Sequence, residues 1–433
     1  MIQEKRSSLM QYLHPKINNL FLHSVHSASD TDPFIGIKIK NDRIDFFYPE
    51  TMDISTEGSL TDFRTKVLAL LSSINLSRDF AGDPSSNPAT GIMRDGFVLL
   101  SYLWIIRDYI TNGFYKNREK VLTSKLEGRI NWKRTFQKQP IISKGNLIYN
   151  DIISEIPCSV DNILVDIHRI CVKKSISIIG WLFGLTGSSI STPFFNEIVK
   201  KKYIAVIRNE LNHTFDDYKK LRLTHMLRVL QGLNSDANSD EIIYGTNVYF
   251  YVFEKMIDSV FSSIKDMQEF EPNSSWYLKK NNYKKINCKP LRPDTILIDQ
   301  KNSIAYIIDS KYYRYGWTGV PSDLPSTSSI QKQITYGEYL KKIRHNYNIK
   351  AVKNAFILPY NKKHNPFDYS RNFEYLGYAT ANWKNLDESH QFIHSFVIDL
   401  THLLSVWSNH NKSAGYIEEL KTEIEIHSQE SSK

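Results

Sequence analysis

From Phe34 to Tyr48 the chain alternates. Ile35, Ile37 and Ile39 stand against Gly36, Lys38 and Lys40, and Arg43-Ile-Asp-Phe-Phe-Tyr48 follows after Asn41-Asp42. A period of two marks half-buried strands, and the Asn-Asp pair between them marks a hairpin. A helix is predicted over Leu60–Ser73. The stretch Leu76–Gly91, rich in Pro, Gly, Ser and Asn, reads as an exposed loop and an early domain boundary. Residues 92–126 then carry Phe97, Leu99, Leu100, Leu103 and Ile106 at helical spacing. A helical block is predicted over residues 159–265, in three pieces: 159–185, 194–231 and 240–265. In the last piece Val252, Met256 and Val260, with Phe253, Ile257 and Phe261, follow the helical period, so that helix is largely buried.

Two short apolar runs follow, Thr295–Ile298 and Ile304–Ile308, joined by the turn-rich Asp299–Ser303. β-branched and aromatic residues dominate them, and they are too short for good helices, so they read as a hairpin. Ser and Thr residues before a periodic run place a helix start near Ser328 or Ser329. Strands are expected at Val352–Pro359, Phe373–Tyr378 and Phe396–Leu400, the last leading into a short helix. This order is that of an α/β protein with a mixed central sheet flanked by helices, preceded by a helical region and a small N-terminal β-containing domain. The expected domains are 1–75, β-containing and a candidate for partner docking; 92–235, mostly helical with a β-ribbon; 240–408, the α/β domain; and a frayed polar tail, 409–433.

The chemistry concentrates in Arg292–Lys311. Side chains alternate along a strand, so Asp309 and Lys311 share a face while Ser310 points away. If the hairpin pairs, Asp294 at its start lies near Asp309 at its end. Two carboxylates and an ammonium then converge. Oxygen ligands of this kind suit a hard divalent cation, and the Ser310 carbonyl offers one more. Metal and lysine together can neutralise a phosphodiester while water attacks it. Upstream, Glu254 interrupts the apolar run of its helix. A carboxylate there is costly unless paired or metal-bound; the other reading is an exposed acid beside Lys255 and Asp258.

Charge adds a partner class. The 433 residues carry a formal net charge of +9, which suits a polyanion. Arg129, Lys133 and Arg134 interleave with Trp132, either as a phosphate-contacting strand or as a ribbon whose charges are solvated. Gln333 and Tyr336 fall one turn apart on a helix made basic by Lys332, Lys341, Lys342 and Arg344. His213, Asp216 and Asp217 share a helix face without a second ligand cluster and read as exposed polarity, as does His225. Cys158, Cys171 and Cys288 show no ligand spacing, which fits a reducing cytoplasm. No run approaches the length of a membrane span, and no Gly-x-x-x-x-Gly-Lys-[Ser/Thr] loop occurs within the chain.

Pro293-Asp294, fourteen residues, then Asp309-Ser-Lys311 resembles the signature of the PD-(D/E)XK nucleases, with Asp in the second acidic slot. Gly128-Arg-Ile-Asn-Trp-Lys-Arg-Thr135, Asp309-Ser-Lys-Tyr-Tyr313 and Ser329-Ile-Gln-Lys-Gln333 with Tyr336 narrow the likeness, over roughly residues 95–405, to McrC-like subunits of the LlaJI type. The resemblance implies a PD-(D/E)XK nuclease fold and a restriction endonuclease subunit that cleaves double-stranded DNA with Mg²⁺. It further implies a separate McrB-like AAA+ GTPase partner, so that GTP acts only through that partner. Asp294 and Asp309 would hold the metal, Glu254 (after Phe253) and Ser310 would assist, and Lys311 would act on water and phosphate. Lys332, Gln333 and Tyr336 would face DNA, although the family's usual Gln–Tyr separation is four rather than three. Two rivals stay open: a self-sufficient type II endonuclease, and a regulatory subunit that stimulates the motor.

Overall fold

The computed structural model describes residues 19–25, 33–40, 43–54, 59–76, 96–115, 117–124, 129–144, 146–149, 151–160, 163–185, 189–232, 242–264, 266–384, 388–409 and 414–430. In chain order the elements begin with β1 (Leu20–Val25), β2 (Ile35–Lys40), β3 (Arg43–Pro49) and α1 (Leu60–Ser73). Next come α2 (Gly96–Asn112), β4 (Asn117–Thr123), β5 (Arg129–Ile130), the one-turn α3 (Trp132–Thr135), β6 (Ile141–Ser143), β7 (Asn146–Ile148) and β8 (Ser154–Val160). Three helices follow: α4 (Ile163–Ile179), α5 (Glu197–His213) and α6 (Asp217–Gln231). The C-terminal half holds β9 (Ile242–Thr246), α7 (Tyr249–Phe261), β10 (Ser275–Tyr277), β11 (Lys285–Asn287), β12 (Thr295–Asp299) and β13 (Ile304–Ser310). It ends with the one-turn α8 (Tyr315–Thr318), α9 (Thr327–Ile343), β14 (Ala351–Tyr360), β15 (Phe373–Ala379), β16 (Ile393–Asp399), α10 (Leu400–Ser408) and α11 (Ala414–Glu430). The loop expected over Leu76–Gly91 lies, beyond Leu76, outside the described residues, as does the Asn41-Asp42 turn.

Two compact units form, Met1–Arg94 with Glu241–Lys433, and Asp95–Asp240. The first is built on a five-stranded mixed sheet in the order β12-β13-β14-β16-β15. The predicted hairpin is present: Thr295 pairs antiparallel with Ile308 and Asp299 with Ile304. β13 runs parallel to β14, β14 parallel to β16, and β15 closes the far edge antiparallel. Helix α9 covers the face carrying Ala305, Ile307 and Val352 with Tyr336 and Leu340. Gly337 permits that approach, because a Cβ there would sit 2.7 Å from His390 Cβ and 2.9 Å from Asn354 Nδ2.

The N-terminal strands are not a separate module. They form a second sheet, β1-β3-β2-β9, whose last strand comes from residues 242–246. Helical patterning extended over 240–265 because Ile242 to Tyr244 continue the apolar content of α7. Pairing with β2 decides the matter, since a strand's partner is not visible in its own sequence. Further ties hold the segment: the Thr401 hydroxyl accepts from Asp53 N–H at 2.8 Å, and Lys363 pairs with the Asp53 carboxylate at 2.8 Å. The tail is not frayed either. Residues 414–430 form a helix that buries Tyr416, Leu420 and Ile424 at a spacing of four, with Tyr416 stacked on Phe261 and tilted against Phe373. Between α10 and α11, residues 410–413 lie outside the described residues.

In the second unit α2, α4, α5 and α6 pack around Ile105, Ile167, Cys171, Ile207 and Met226. Residues 117–123, expected as the end of a helix, pair instead with β8 as a strand. A polar knot lies inside. Asp108 accepts from Arg222 Nε at 2.7 Å, from Asn112 at 2.8 Å and from the Tyr218 hydroxyl. His168, fully buried, accepts from Tyr115 N–H at 2.9 Å, and burial pushes its imidazole down to about 4. Asp216 caps α6 by accepting from Lys219 N–H at 2.9 Å, and His213 contacts the Asn209 carbonyl. His225 departs from expectation: it is buried, stacked on Trp104 and bonded to Ser101.

Candidate active site

The hairpin's open end gathers the predicted cluster. Asp294 immediately precedes β12, and its Oδ2 accepts from Ser310 N–H at 2.9 Å. The Ser310 amide thus ties the end of β13 to Asp294. Asp309, only 2% exposed, stands one residue before the end of β13, and its Oδ2 is 2.5 Å from Lys311 Nζ. Their pairing is what strand alternation requires of residues two apart. Lys311 stays in register with the sheet because its N–H donates to Ile357 of β14 at 2.9 Å.

Helix α7 brings the third carboxylate. Its apolar face buries Val252, Phe253, Met256 and Ile257, and Tyr312 packs on Tyr249 and Phe253 with ring centroids 5.7 and 5.6 Å away. Asp258, one turn along, accepts from Thr295 Oγ1 at 3.2 Å, so α7 is pinned beside Asp294. Glu254 is therefore partly buried, and not the exposed acid of the alternative reading. Burial, offset in part by Lys255, and then the field of Asp309 hold its carboxyl above the usual range.

The electrostatics share one cause. Asp294 is held well above an ordinary aspartate by burial, then by Asp309 and Glu254, against the opposing Ser310 amide. Burial alone would lower the Lys311 ammonium; Asp309 beside it, and Asp294 beyond, keep it above the usual lysine value. Three acids with one ammonium leave a surplus of negative charge in a partly dry place, which is what a divalent cation relieves. Among the described residues, no group of three or more His, Cys, Asp or Glu side chains is placed to hold a metal ion. The pair of carboxylates, Asp294 and Asp309, fits the chemistry of Mg²⁺, which keeps several waters and takes one or two protein acids.

Gln333 and Tyr336 do not reach outward as expected. Gln333 is fully buried and donates to the Ile307 carbonyl at 2.8 Å. Tyr336 is buried and donates to the Arg292 carbonyl at 2.6 Å. Both sit on the inward stripe of α9, where they brace the hairpin. Burial, and then the field of Asp309, Asp294 and Glu254, push the Tyr336 phenol up and keep it a donor. Lys332 remains exposed, its ammonium 5.6 Å from the Tyr336 ring centre. Arg129, Lys133 and Arg134 are exposed in the second unit, but only Arg129 lies on a strand. Asn131 accepts from Arg134 N–H at 3.0 Å and turns Trp132–Thr135 into a helical turn. Sequence reasoning missed Asn354, buried in β14 and donating to Gln333 and His390 carbonyls at 3.1 and 2.6 Å. A polar residue next to Lys353 in the largely apolar run Ala351–Pro359 was the available signal.

Sheet and cluster together define a mixed α/β protein with a carboxylate–ammonium site at the ends of paired strands. The pattern of the LlaJI restriction endonuclease family matches residues 34–389, and the chain belongs to that family. It is similar to a curated protein of Bacillus subtilis (strain 168), "Type II restriction enzyme BsuMI component YdjA", at 24% identity over 290 residues. That match covers 62% of this chain and 60% of the relative's length. Two solved structures from Thermococcus gammatolerans also align. An assembly of McrB AAA+ hexamers with bound McrC matches at 11% identity and a TM-score of 0.36, covering 94% of this chain and 90% of the other. A McrBC complex matches at 9% identity and a TM-score of 0.24, covering 61% and 78%. No helix among the described residues is long and apolar enough to cross a membrane.

Proposed function

We propose that this chain is the DNA-cleaving subunit of a restriction system, a Mg²⁺-dependent endonuclease of the PD-(D/E)XK type acting in the cytoplasm. One observation carries the reading: Asp294 and Asp309 meet at the open end of the hairpin with the Lys311 ammonium 2.5 Å from Asp309. Asp294 and Asp309 would hold the ion, with Glu254 beside them. Bound there, Mg²⁺ supplies Lewis acidity toward the phosphodiester and lowers the cost of deprotonating water. Lys311, kept protonated by its neighbours, contributes positive charge as negative charge grows on the phosphate oxygens. Ser310 N–H fixes Asp294, and the Thr295–Asp258 bond fixes the helix that carries Glu254, so little rearrangement is needed when substrate arrives. Arg129, Lys133, Arg134 and Lys332 would meet the DNA backbone.

Family membership and the curated relative's description as a component support a division of labour. A McrB-like AAA+ GTPase partner would supply the motor, since these 433 residues contain no phosphate-binding loop of their own. The relative's "Type II" description also favours a second reading, an endonuclease that needs no nucleotide. Plasmid cleavage by the purified chain, with Mg²⁺ and with or without a GTPase and GTP, decides between them. Poor cutting alone and efficient cutting with the partner is the expected result. Robust site-specific cutting without nucleotide would establish the second reading, and no cutting in any mixture would sink both.

A further inference from the structure

Just ahead of the site the chain projects a ribbon. Leu291 N–H donates to the Pro272 carbonyl at 2.9 Å and Cys288 N–H to the Ser274 carbonyl at 2.8 Å. Beyond these, β10 and β11 pair Trp276 with Ile286 and Tyr277 with Lys285. The tip turns through Lys279–Asn281 and then Asn282 and Tyr283, both in the left-handed region at φ 48° and 55°. Every residue from Trp276 to Asn287 is exposed, on both faces of the ribbon. A two-stranded hairpin with neither face covered is marginal in water.

Its composition says what would cover it. Ser275–Pro293 contains Lys279, Lys280, Lys284, Lys285, Lys289 and Arg292 and no acid. None of Lys279, Lys280, Lys284 or Lys285 forms an ion pair among the described residues. Trp276 and Tyr283 are 64% and 62% exposed. Lysine is depleted from the centres of protein interfaces. Lysines alternating with bare aromatic rings suit a phosphate backbone with bases or sugars beside it. A two-stranded ribbon also has the cross-section that a major groove about 12 Å wide admits. At its root the ribbon joins the acids: Arg292, whose carbonyl Tyr336 holds, is two residues from Asp294.

We propose that the β10–β11 ribbon is a DNA-binding arm that grips duplex DNA beside the carboxylate cluster, through Lys279, Lys280, Lys284 and Lys285 with Trp276 and Tyr283. The inference rests on the nuclease reading above and names which surface of the chain meets that substrate. It is tested with the full chain, by anisotropy of a labelled DNA duplex across a salt series without divalent ion. Replacing the four lysines by Ala should weaken binding at least tenfold. It should also flatten log K against log salt by about 0.9 for each phosphate no longer neutralised. Trp276→Ala with Tyr283→Ala should weaken binding about tenfold while leaving the slope unchanged. Both variants should melt like wild type and gain the same Mg²⁺-induced rise in melting temperature, because the ribbon packs on nothing. Wild-type affinity and slope in the lysine variant would overturn the arm and leave the nuclease reading intact. Normal DNA binding with lost stimulation by a protein partner would reassign the ribbon to protein docking. A wild-type chain that binds no duplex at any salt would remove both.

Discussion

The Tyr336 hydroxyl donates to the Arg292 carbonyl at 2.6 Å, tying helix α9 to the backbone two residues ahead of Asp294. On the same helix Gln333 donates to Ile307, two residues ahead of Asp309. One helix thus holds both arms of the hairpin just short of the acids they carry. Tyr336→Phe keeps the ring in its buried place and removes only the donor. Loss of one such bond costs about 1 kcal/mol, so a small drop in melting temperature is expected. Single-turnover cleavage should slow several-fold while DNA affinity stays unchanged, because the phenol meets backbone and not substrate. An unchanged cleavage rate would show that the brace is dispensable.

Asp294 is crowded by Asp309 and Glu254, which raises its carboxyl well above the ordinary value. Asp294→Asn keeps the acceptor for Ser310 N–H and removes one of the repelling charges. Cleavage should fall by two orders of magnitude or more, while the melting temperature without metal holds or rises. Wild type should be stabilised by Mg²⁺, by about 2.7 kcal/mol at a hundredfold excess over Kd, and the variant much less. Equal stabilisation of the two proteins, measured by thermal shift, would place the ion elsewhere.

Within a single element the chain could be read directly. The β12–β13 hairpin showed in alternation and β-branching, and the shared face of Asp309 and Lys311 followed from a period of two. What could not be read depended on partners distant in sequence. Ile242–Thr246 resembles helix until β2 is beside it. Ala414–Glu430 looks polar because its burial rests on Tyr416, Leu420 and Ile424 alone. The Gln333–Tyr336 pair was found by spacing, but spacing does not say which way a helix turns, and the sheet takes that stripe. Trp276–Asn287 carries no burial pattern because neither face is buried.

Burial of His168 gives the Asp95–Asp240 unit an acid limit of its own. The imidazole sits neutral at about 4 in the fold and near 6.5 when unfolded. A depressed folded pKa means the unfolded chain takes the proton first. Stability is complete above pH 6.5 and is lost as pH falls toward 4, by a few kcal/mol at most. Hydrogen exchange of α2 and α4 should therefore quicken between pH 6.5 and 4, and His168→Gln should weaken that dependence, leaving the share of His225, which burial also holds at about 4. Indifference of the wild type over this window would mean that His168 gains a compensating partner once charged.

The N-terminal segment, expected as a domain of its own for partner docking, is built into the larger unit through the β1-β3-β2-β9 sheet. Asp53 takes Lys363 at 2.8 Å and Lys66 at 3.3 Å, and these partners hold its carboxyl at about 2 despite burial. Lys363 follows β14, so the pair fastens the chain at Asp53 to the sheet that carries the candidate site. Deleting residues 1–75 would also strip β2 from β9 and α1 from α10. The truncated chain should be insoluble, or protease-sensitive across residues 241–433, and not a folded nuclease lacking a docking module. For Asp53 itself the folded pKa lies below the unfolded value near 3.9. Its contribution, about 1 kcal/mol once solvent around the exposed Lys363 screens the pair, is fully present above pH 4 and disappears as pH falls through 2. Asp53→Asn should cost roughly that amount at pH 7 and markedly less at pH 2, read from chemical denaturation at both. A deletion variant that melts cooperatively near the full-length temperature would refute the integrated N-terminus.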